Sequence, residues 1–241
     1  MNQNYRKNIA IIIQARMGSK RLPGKSCMIV NGKKIIEWVL STCKSVRGIN
    51  RVILATSEES NCDILEDIAR KEEIDFIRGS ESDVLSRFID AINKFKVEIV
   101  IRITADDICH DPEFIEYGLK TFQEENCDYL ISHTSKFPLI DGLIYEIFYS
   151  DLLLKVAKKD NLSDKDREHV TSYIRDKKIN YRQGYLDFKK IPLIYRDSSK
   201  FKLCIDIIQD YDKISSAWET KSSLKGIEIG DTKKIISNLQ L

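Results

Sequence analysis

The chain is 241 residues long and 42% hydrophobic, enough to bury a full core as one domain, or one domain with an appended lobe, without disulfide or metal staples. Its 39 Lys and Arg against 37 Asp and Glu leave a net charge of +2 spread along the chain, which removes the electrostatic case for nucleic acid as the main partner. The six cysteines, Cys27, Cys43, Cys62, Cys109, Cys127 and Cys204, form no CxxC pair and keep no regular spacing, so buried reduced thiols are expected instead of a metal knuckle or redox dithiol.

Ile9 to Ile13 is a continuous apolar run, too short for a signal peptide's core or a membrane span, and is predicted as a strand buried on both faces. A cytoplasmic protein with no membrane insertion is expected. A Gly-, Arg- and Lys-rich loop follows from Gln14 to Lys25. Ile35, Ile36, Val39, Leu40 and Cys43 then recur at helical spacing and predict an amphipathic helix from Lys34 to Ser45. Arg51 to Thr56 reads as a second buried strand. Ile64, Leu65, Ile68 and Ala69 mark a helix, Ile74 to Ile77 a strand, Val84, Leu85, Phe88, Ile89 and Ile92 a helix, and Glu98 to Ile103 a strand. This alternation requires crossover connections, so the first 130 residues are predicted to form a three-layer, Rossmann-like α/β unit with a mostly parallel sheet. Ligands of such sheets bind beyond the carboxyl ends of the strands.

From about Lys136 the rhythm changes. Leu143 to Phe148 alternates like an exposed strand, Ser150 to Lys158 and Lys165 to Asp176 read as helices, and Tyr181 to Phe188 and Ile191 to Tyr195 as strands. Residues 136–200 are therefore predicted as a β/α excursion inserted within a single domain spanning 1–241. Phe201 to Ile205 is expected to return to the core as a strand, before helices near Asp210 to Glu219 and Lys233 to Leu239.

The loop QARMGSKRLPGK places Arg16, Lys20, Arg21 and Lys25 around Gly18, Ser19 and Gly24 within twelve residues. That combination suits a triphosphate. Glycines let backbone N–H groups approach phosphate oxygens, while the Arg forks and a Lys point charge neutralise a departing pyrophosphate. Gly24, Lys25 and Ser26 imitate the end of a Walker A loop, but Gly18 stands six residues before Gly24 where that motif needs five.

The run from Ile11 to Lys25, IIIQARMGSKRLPGK, resembles the signature of the SpsF-like branch of cytidylyltransferases, relatives of the CMP-KDO and CMP-acylneuraminate synthetases. Lys20 is the one substitution in that loop. Weaker collinear matches follow: GSESDVLSRF from Gly79, RITADDICHDP from Arg102, DGLIYEIF from Asp141, REHVT from Arg167 and FKLCIDIIQDY from Phe201.

The resemblance implies transfer of CMP from CTP to a small anionic sugar, sugar or polyol phosphate, or phosphonate, with release of pyrophosphate, for surface polysaccharide or glycoconjugate synthesis. It implies Asp106 and Asp206 as ligands of Mg²⁺, and Arg16, Arg21 and Lys25 as the cations that stabilise pyrophosphate. Gln14, Ala15, Arg16, Met17, Gly18, Ser19, Lys25, Thr56, Ser57, Gly79, Asp83 and Thr104 would surround the nucleotide. Glu146, Arg167, Glu168 and His169 would meet the acceptor, in an excursion that also makes homodimer contacts.

Some positions carry a second reading. Ser80, Ser82 and Asp83 equally suit a helix N-cap, as does Asp111 before Pro112. Ala105, Asp107, Ile108 and Cys109 depart from the branch's pattern, with Asp107 a spare carboxylate. Two competing functions are a nucleotide-sugar-dependent glycosyltransferase, which has only a diphosphate to hold, and a nucleotide-binding subunit without activity. Retention of both aspartates and Lys25 speaks against the latter.

Overall fold

The computed structural model describes residues 7–134, 138–196, 202–219 and 231–239. The chain begins with β1 (Ile9–Gln14), then β2 (Ile29–Val30) and β3 (Lys33–Lys34), a small antiparallel ribbon, and continues through α1 (Ile35–Lys44), β4 (Arg51–Ser57), α2 (Asp63–Lys71), β5 (Asp75–Gly79), α3 (Val84–Phe95), β6 (Ile99–Thr104) and α4 (Pro112–Glu124). The later elements are β7 (Tyr129–Ile131), β8 (Glu146–Tyr149), α5 (Ser150–Ala157), α6 (Asp164–Glu168), α7 (Ser172–Arg175), β9 (Gln183–Gly184), α8 (Ile208–Glu219) and α9 (Thr232–Leu239).

Seven of these strands pair in the order β5-β4-β1-β6-β8-β7-β9, and β8 runs antiparallel to both neighbours in an otherwise parallel sheet. The unbroken apolar character of β1 follows from its central place. Ile9, Ile11 and Ile13 face one core with α1, α2, α4, α8 and α9, while Ala10 and Ile12 face a second core with α3, α5 and α7. Successive side chains of a strand point to opposite faces, so a strand between two helical layers must be apolar at every position. Each fully buried Ile contributes about 1.5–3 kcal/mol.

Five expectations for the later half are corrected. Leu143 to Phe148 is not exposed, because β8 inserts between β6 and β7 and is covered on both faces, with Leu143, Tyr145, Glu146, Ile147 and Phe148 all buried. The helix expected over 165–176 is broken into α6 and α7 at Val170, whose φ of 57° is the left-handed region that a β-branched residue rarely adopts. Val170 is completely buried in the second core, and Thr171 beside it is held by Glu146.

Ile191 to Tyr195 is no strand. Pro192 cannot donate to a ladder, and Leu193–Tyr195 forms a 3₁₀ turn that delivers the Tyr195 hydroxyl to Asp111 at 2.5 Å. Of Tyr181 to Phe188 only Gln183–Gly184 pairs with β7. In the expected return strand, Phe201 lies outside the described residues. The rest docks as an extended segment, Leu203 N–H donating to the Asp141 carbonyl at 2.6 Å and Ile205 N–H to the Asp106 carbonyl at 3.0 Å.

Candidate active site

A cavity of about 580 Å³ opens over the carboxyl ends of β1 and β6, lined by the loop after β1, by Thr104 to Asp107, and by Asp141, Glu168, His169, Cys204 and Asp206. The loop is closed by a hydrogen bond from Gly24 N–H to the Met17 carbonyl at 2.9 Å, with Gly24 at φ 74°, a conformation that glycine adopts without steric cost. A 3₁₀ turn over Lys25–Cys27 follows and fixes the direction of Lys25.

Lys25 organises the acidic side of the cavity. Its Nζ donates to Asp106 Oδ2 at 2.6 Å, to the Ile205 carbonyl at 2.9 Å and to Asp206 Oδ1 at 3.4 Å. Asp206 is also met by Arg21 at 2.7 Å and Lys202 at 3.3 Å, and its backbone N–H donates to Asp210. Across the cavity, Arg16 donates to Glu168 at 2.9 Å and to the Glu81 carbonyl at 3.2 Å. Three cations of the loop are thus matched with carboxylates from distant parts of the chain.

Burial pushes the Asp106 carboxyl upward, but the Lys25 charge and the hydrogen bonds from Lys25 and Thr104 outweigh it and hold the group below its ordinary range. Asp107 moves the other way. Burial and the neighbouring Asp106 charge raise it, in spite of His110 and a 2.6 Å hydrogen bond from the Thr104 hydroxyl. Adjacent carboxyls are thereby driven apart, Asp106 downward and Asp107 upward.

The two aspartates fit a hard divalent cation. Their oxygens already converge on one ammonium nitrogen, and Mg²⁺ takes one or two carboxylates together with substrate phosphates and water. Among the described residues no group of three or more His, Cys, Asp or Glu side chains has a metal-holding arrangement, so the remaining ligands of such an ion have to come from substrate and solvent.

Asp206 owes its place to a clamp. Gly142 has φ 100°, and a Cβ there would lie 2.5 Å from the Leu203 carbonyl carbon and 2.6 Å from the Cys204 nitrogen. Only a glycine lets residues 141–142 pack flat on the segment that carries the second carboxylate.

The residues named from sequence divide by position. Gln14, Ala15, Arg16, Ser19, Arg21, Lys25, Thr104, Asp106, Asp206, Glu168 and His169 all line the cavity. Met17 instead packs on the core, and Gly18 lies against the Glu81 carboxylate. Thr56 and Ser57 are completely buried at the end of β4, and Gly79 is covered by Arg87. Asp83 caps α3 by accepting from Ser86 N–H at 3.0 Å and pairs with Arg167 at 2.8 Å, which occupies both residues away from the cavity lining.

Glu146 stands behind the cavity wall. It lies opposite Arg102 across the β6–β8 pair and accepts from Arg102 Nη1 at 2.6 Å, from Thr171 at 2.8 Å and from the Tyr129 hydroxyl. Burial pushes its carboxyl up, yet the charges of Arg102 and Arg175 and the hydroxyl donors hold it below the usual range. Glu146 is therefore a positioning residue for Arg102, which does reach the cavity and also donates to Gln14 at 3.1 Å.

Arg102 and Asp141 also line the cavity without having been assigned from sequence, and so does Arg87, in the GSESDVLSRF block that the resemblance sets beside the cytidine. A signal existed for Arg102 and Glu146: each is the charge that interrupts a buried strand, in IVIRIT and YEIF.

Comparison with known proteins agrees with this geometry. The sequence model of the family described as Cytidylyltransferase matches residues 10–230. The spore coat polysaccharide biosynthesis protein SpsF of Bacillus subtilis (strain 168) is 31% identical over 216 residues, covering 88% of this chain and 87% of that protein. A cytidylyltransferase structure from Leptospira borgpetersenii serovar Hardjo-bovis (strain JB197) superposes with a TM-score of 0.83 at 28% identity, over 96% of this chain and 94% of that one. The structure of CMP:2-keto-3-deoxy-manno-octonic acid synthetase complexed with CTP shares the fold, with a TM-score of 0.64 at 17% identity over 87% of this chain and 98% of that one. With a nucleotidyltransferase sheet and a family match over nearly all of its length, this chain belongs to the cytidylyltransferases and is a CTP-dependent nucleotidyltransferase.

Proposed function

We propose that the enzyme transfers CMP from CTP to a small anionic sugar, sugar or polyol phosphate, or phosphonate, and releases pyrophosphate, in the synthesis of a surface polysaccharide or glycoconjugate. The observation that carries this reading is the convergence of Asp106 and Asp206 on Lys25, beneath a loop that adds Arg16 and Arg21. An acceptor oxygen attacks the α-phosphorus in line, and positioning and charge neutralisation supply most of the rate. Arg16, Arg21 and Lys25 take up the charge of the departing pyrophosphate. Asp106 and Asp206 would hold Mg²⁺, which when bound polarises phosphate oxygens as a Lewis acid. Glu168 and His169 line the same cavity and would orient the acceptor. The glycan setting is supported by the name of the Bacillus relative.

Incubation with each of the four nucleoside triphosphates, magnesium chloride and a panel of acidic metabolites tests this reading by product mass. A CMP adduct formed with CTP is expected. Turnover of another nucleotide, with CTP left intact under every acceptor, overturns it.

The working unit is further proposed to be a cytoplasmic homodimer. Tyr185, directly after β9 at the edge of the sheet, and Leu193, in the 3₁₀ turn that follows, are 52% and 77% exposed and offer apolar surface, and the six free thiols suit a reducing compartment. No helix among the described residues is long and apolar enough to cross a membrane. Sedimentation equilibrium reads the pairing directly: twice the chain mass is expected, and a monomer at every concentration overturns it.

A further inference from the structure

Lys25 uses all of its hydrogen-bonding capacity inside the protein. An ammonium group has three N–H donors and no acceptor, and Lys25 Nζ meets Asp106 Oδ2 at 2.6 Å, the Ile205 carbonyl at 2.9 Å and Asp206 Oδ1 at 3.4 Å. In this pose no donor is left for a phosphate. The same Asp206 Oδ1 also accepts from Arg21 at 2.7 Å, so two cations of the β1 loop sit on the acidic pair.

Lys25 therefore cannot serve a phosphate and the two aspartates at once. A divalent ion held by Asp106 and Asp206 needs the oxygens that Lys25 and Arg21 face, and like charges at such close range repel strongly in a half-buried cavity. Lys25 cannot simply withdraw either. Its side chain is 13% exposed, and an ammonium stripped of its anions at that depth is costly. It has to be given another anion. The second carboxylate, by contrast, is anchored: Asp206 N–H and Ile207 N–H both donate to Asp210 Oδ2, and Lys202 pairs with Asp210 at 2.6 Å. What can move is the lysine, a flexible four-carbon stem on a 3₁₀ turn that borders the cavity.

We propose that Lys25 is the resident counter-cation of the Asp106–Asp206 pair, that it holds a divalent ion off, and that it yields the pair only when a triphosphate is present to receive the ammonium. Metal and nucleotide then bind weakly alone and tightly together, and the linkage is reciprocal. The inference rests on the CTP reading above and adds the residue that makes the binding of one ligand depend on the other.

Titration with manganese chloride alone, followed by the electron paramagnetic resonance signal of the free ion, tests it on the wild-type chain, K25M and K25Q, with thermal unfolding to establish that each variant is folded. The wild type is expected to bind weakly, and both variants roughly tenfold or more tighter, within the usual span of a coupling between two ligands. Adding D106N to K25M should remove the gain, which assigns the ion to this pair. Lys25 variants that bind manganese no better than the wild type overturn the inference, as does a gain that survives D106N. A lysine with a merely structural role would leave affinity unchanged or lower it when removed. If K25M does not fold, K25Q decides by the same comparison, since its amide still donates to the carboxylates but carries no charge. Because the titration contains no nucleotide, its failure leaves the CTP reading standing, whereas a mass screen without a CMP adduct strikes that reading and not the manganese result.

Discussion

Replacing Lys25 with Met is expected to lower kcat/KM for CTP by roughly 10²–10³-fold, the range for loss of one preorganised charge-stabilising donor. Lys25 would act on two things at once. In the proposed reaction it supplies a cation for the phosphate tail, and in the structure it draws together two carboxylates that are only 25% and 17% exposed and repel one another without it. The pH profile separates this from a general loss of structure. In the wild type the Lys25 charge holds the Asp106 carboxyl below its ordinary range, so the anion persists into acid. Without Lys25 that restraint disappears and burial remains, so Asp106 takes its proton at a higher pH and the acidic limb of the rate profile moves upward. Steady-state rates of pyrophosphate release across the acidic range, with the acceptor found by the mass screen, check both effects. Lys25→Arg should recover little, because a flat fork cannot replace a compact ammonium between two carboxylates. Full activity in Lys25→Met would show that the loop does not serve the phosphates.

The second large effect is on stability. Glu146→Ala is expected to cost about 3–5 kcal/mol in urea unfolding, the typical consequence of removing one partner from a buried ion pair. The carboxylate side chain is 3% exposed, so solvent screens the pair little, and its loss strands Arg102 and the Thr171 and Tyr129 hydroxyls. The pH dependence has a definite sign. The folded-state pKa of Glu146 is depressed, so its contribution is present above the unfolded value of about 4.3 and is lost as the pH falls through the folded one. Glu146→Gln should flatten that acid slope while leaving the strand volume unchanged. A cost below about 1 kcal/mol for Glu146→Ala would mean that Arg102 finds another anion or solvent.

What could be read from sequence was what lies close together in it. The β1 loop shows its chemistry because Arg16, Arg21 and Lys25 share one short loop, and the first strands show their burial because a central strand is apolar at every position. The cavity's remaining features depend on register and crossing. Nothing local tells Glu146 to face Arg102, which requires β8 to insert antiparallel beside β6. Val170 belongs to a segment whose apolar spacing is helical, yet it breaks the helix because the buried Thr171–Glu146 contact outweighs local propensity. Pro192 was a legible warning against a strand from Ile191 to Tyr195. Asp83 was ambiguous by nature: the residue type that contacts a ribose also caps a helix, and here it caps α3.

The Gly142 clamp bears on how the chain acquires its chemistry. Lys25 reaches Asp106 across 81 residues but Asp206 across 181, and the second aspartate arrives on a segment that has no strand ladder of its own. Contacts so distant in sequence carry a loop-closure cost and form slowly compared with local ones. During synthesis the cationic loop and Asp106 emerge and can fold long before Asp206 leaves the ribosome. The growing polypeptide therefore carries half of the proposed ion site while the 100 residues from Asp106 to Asp206 are made, and competence arrives with the docking of the Asp206 segment.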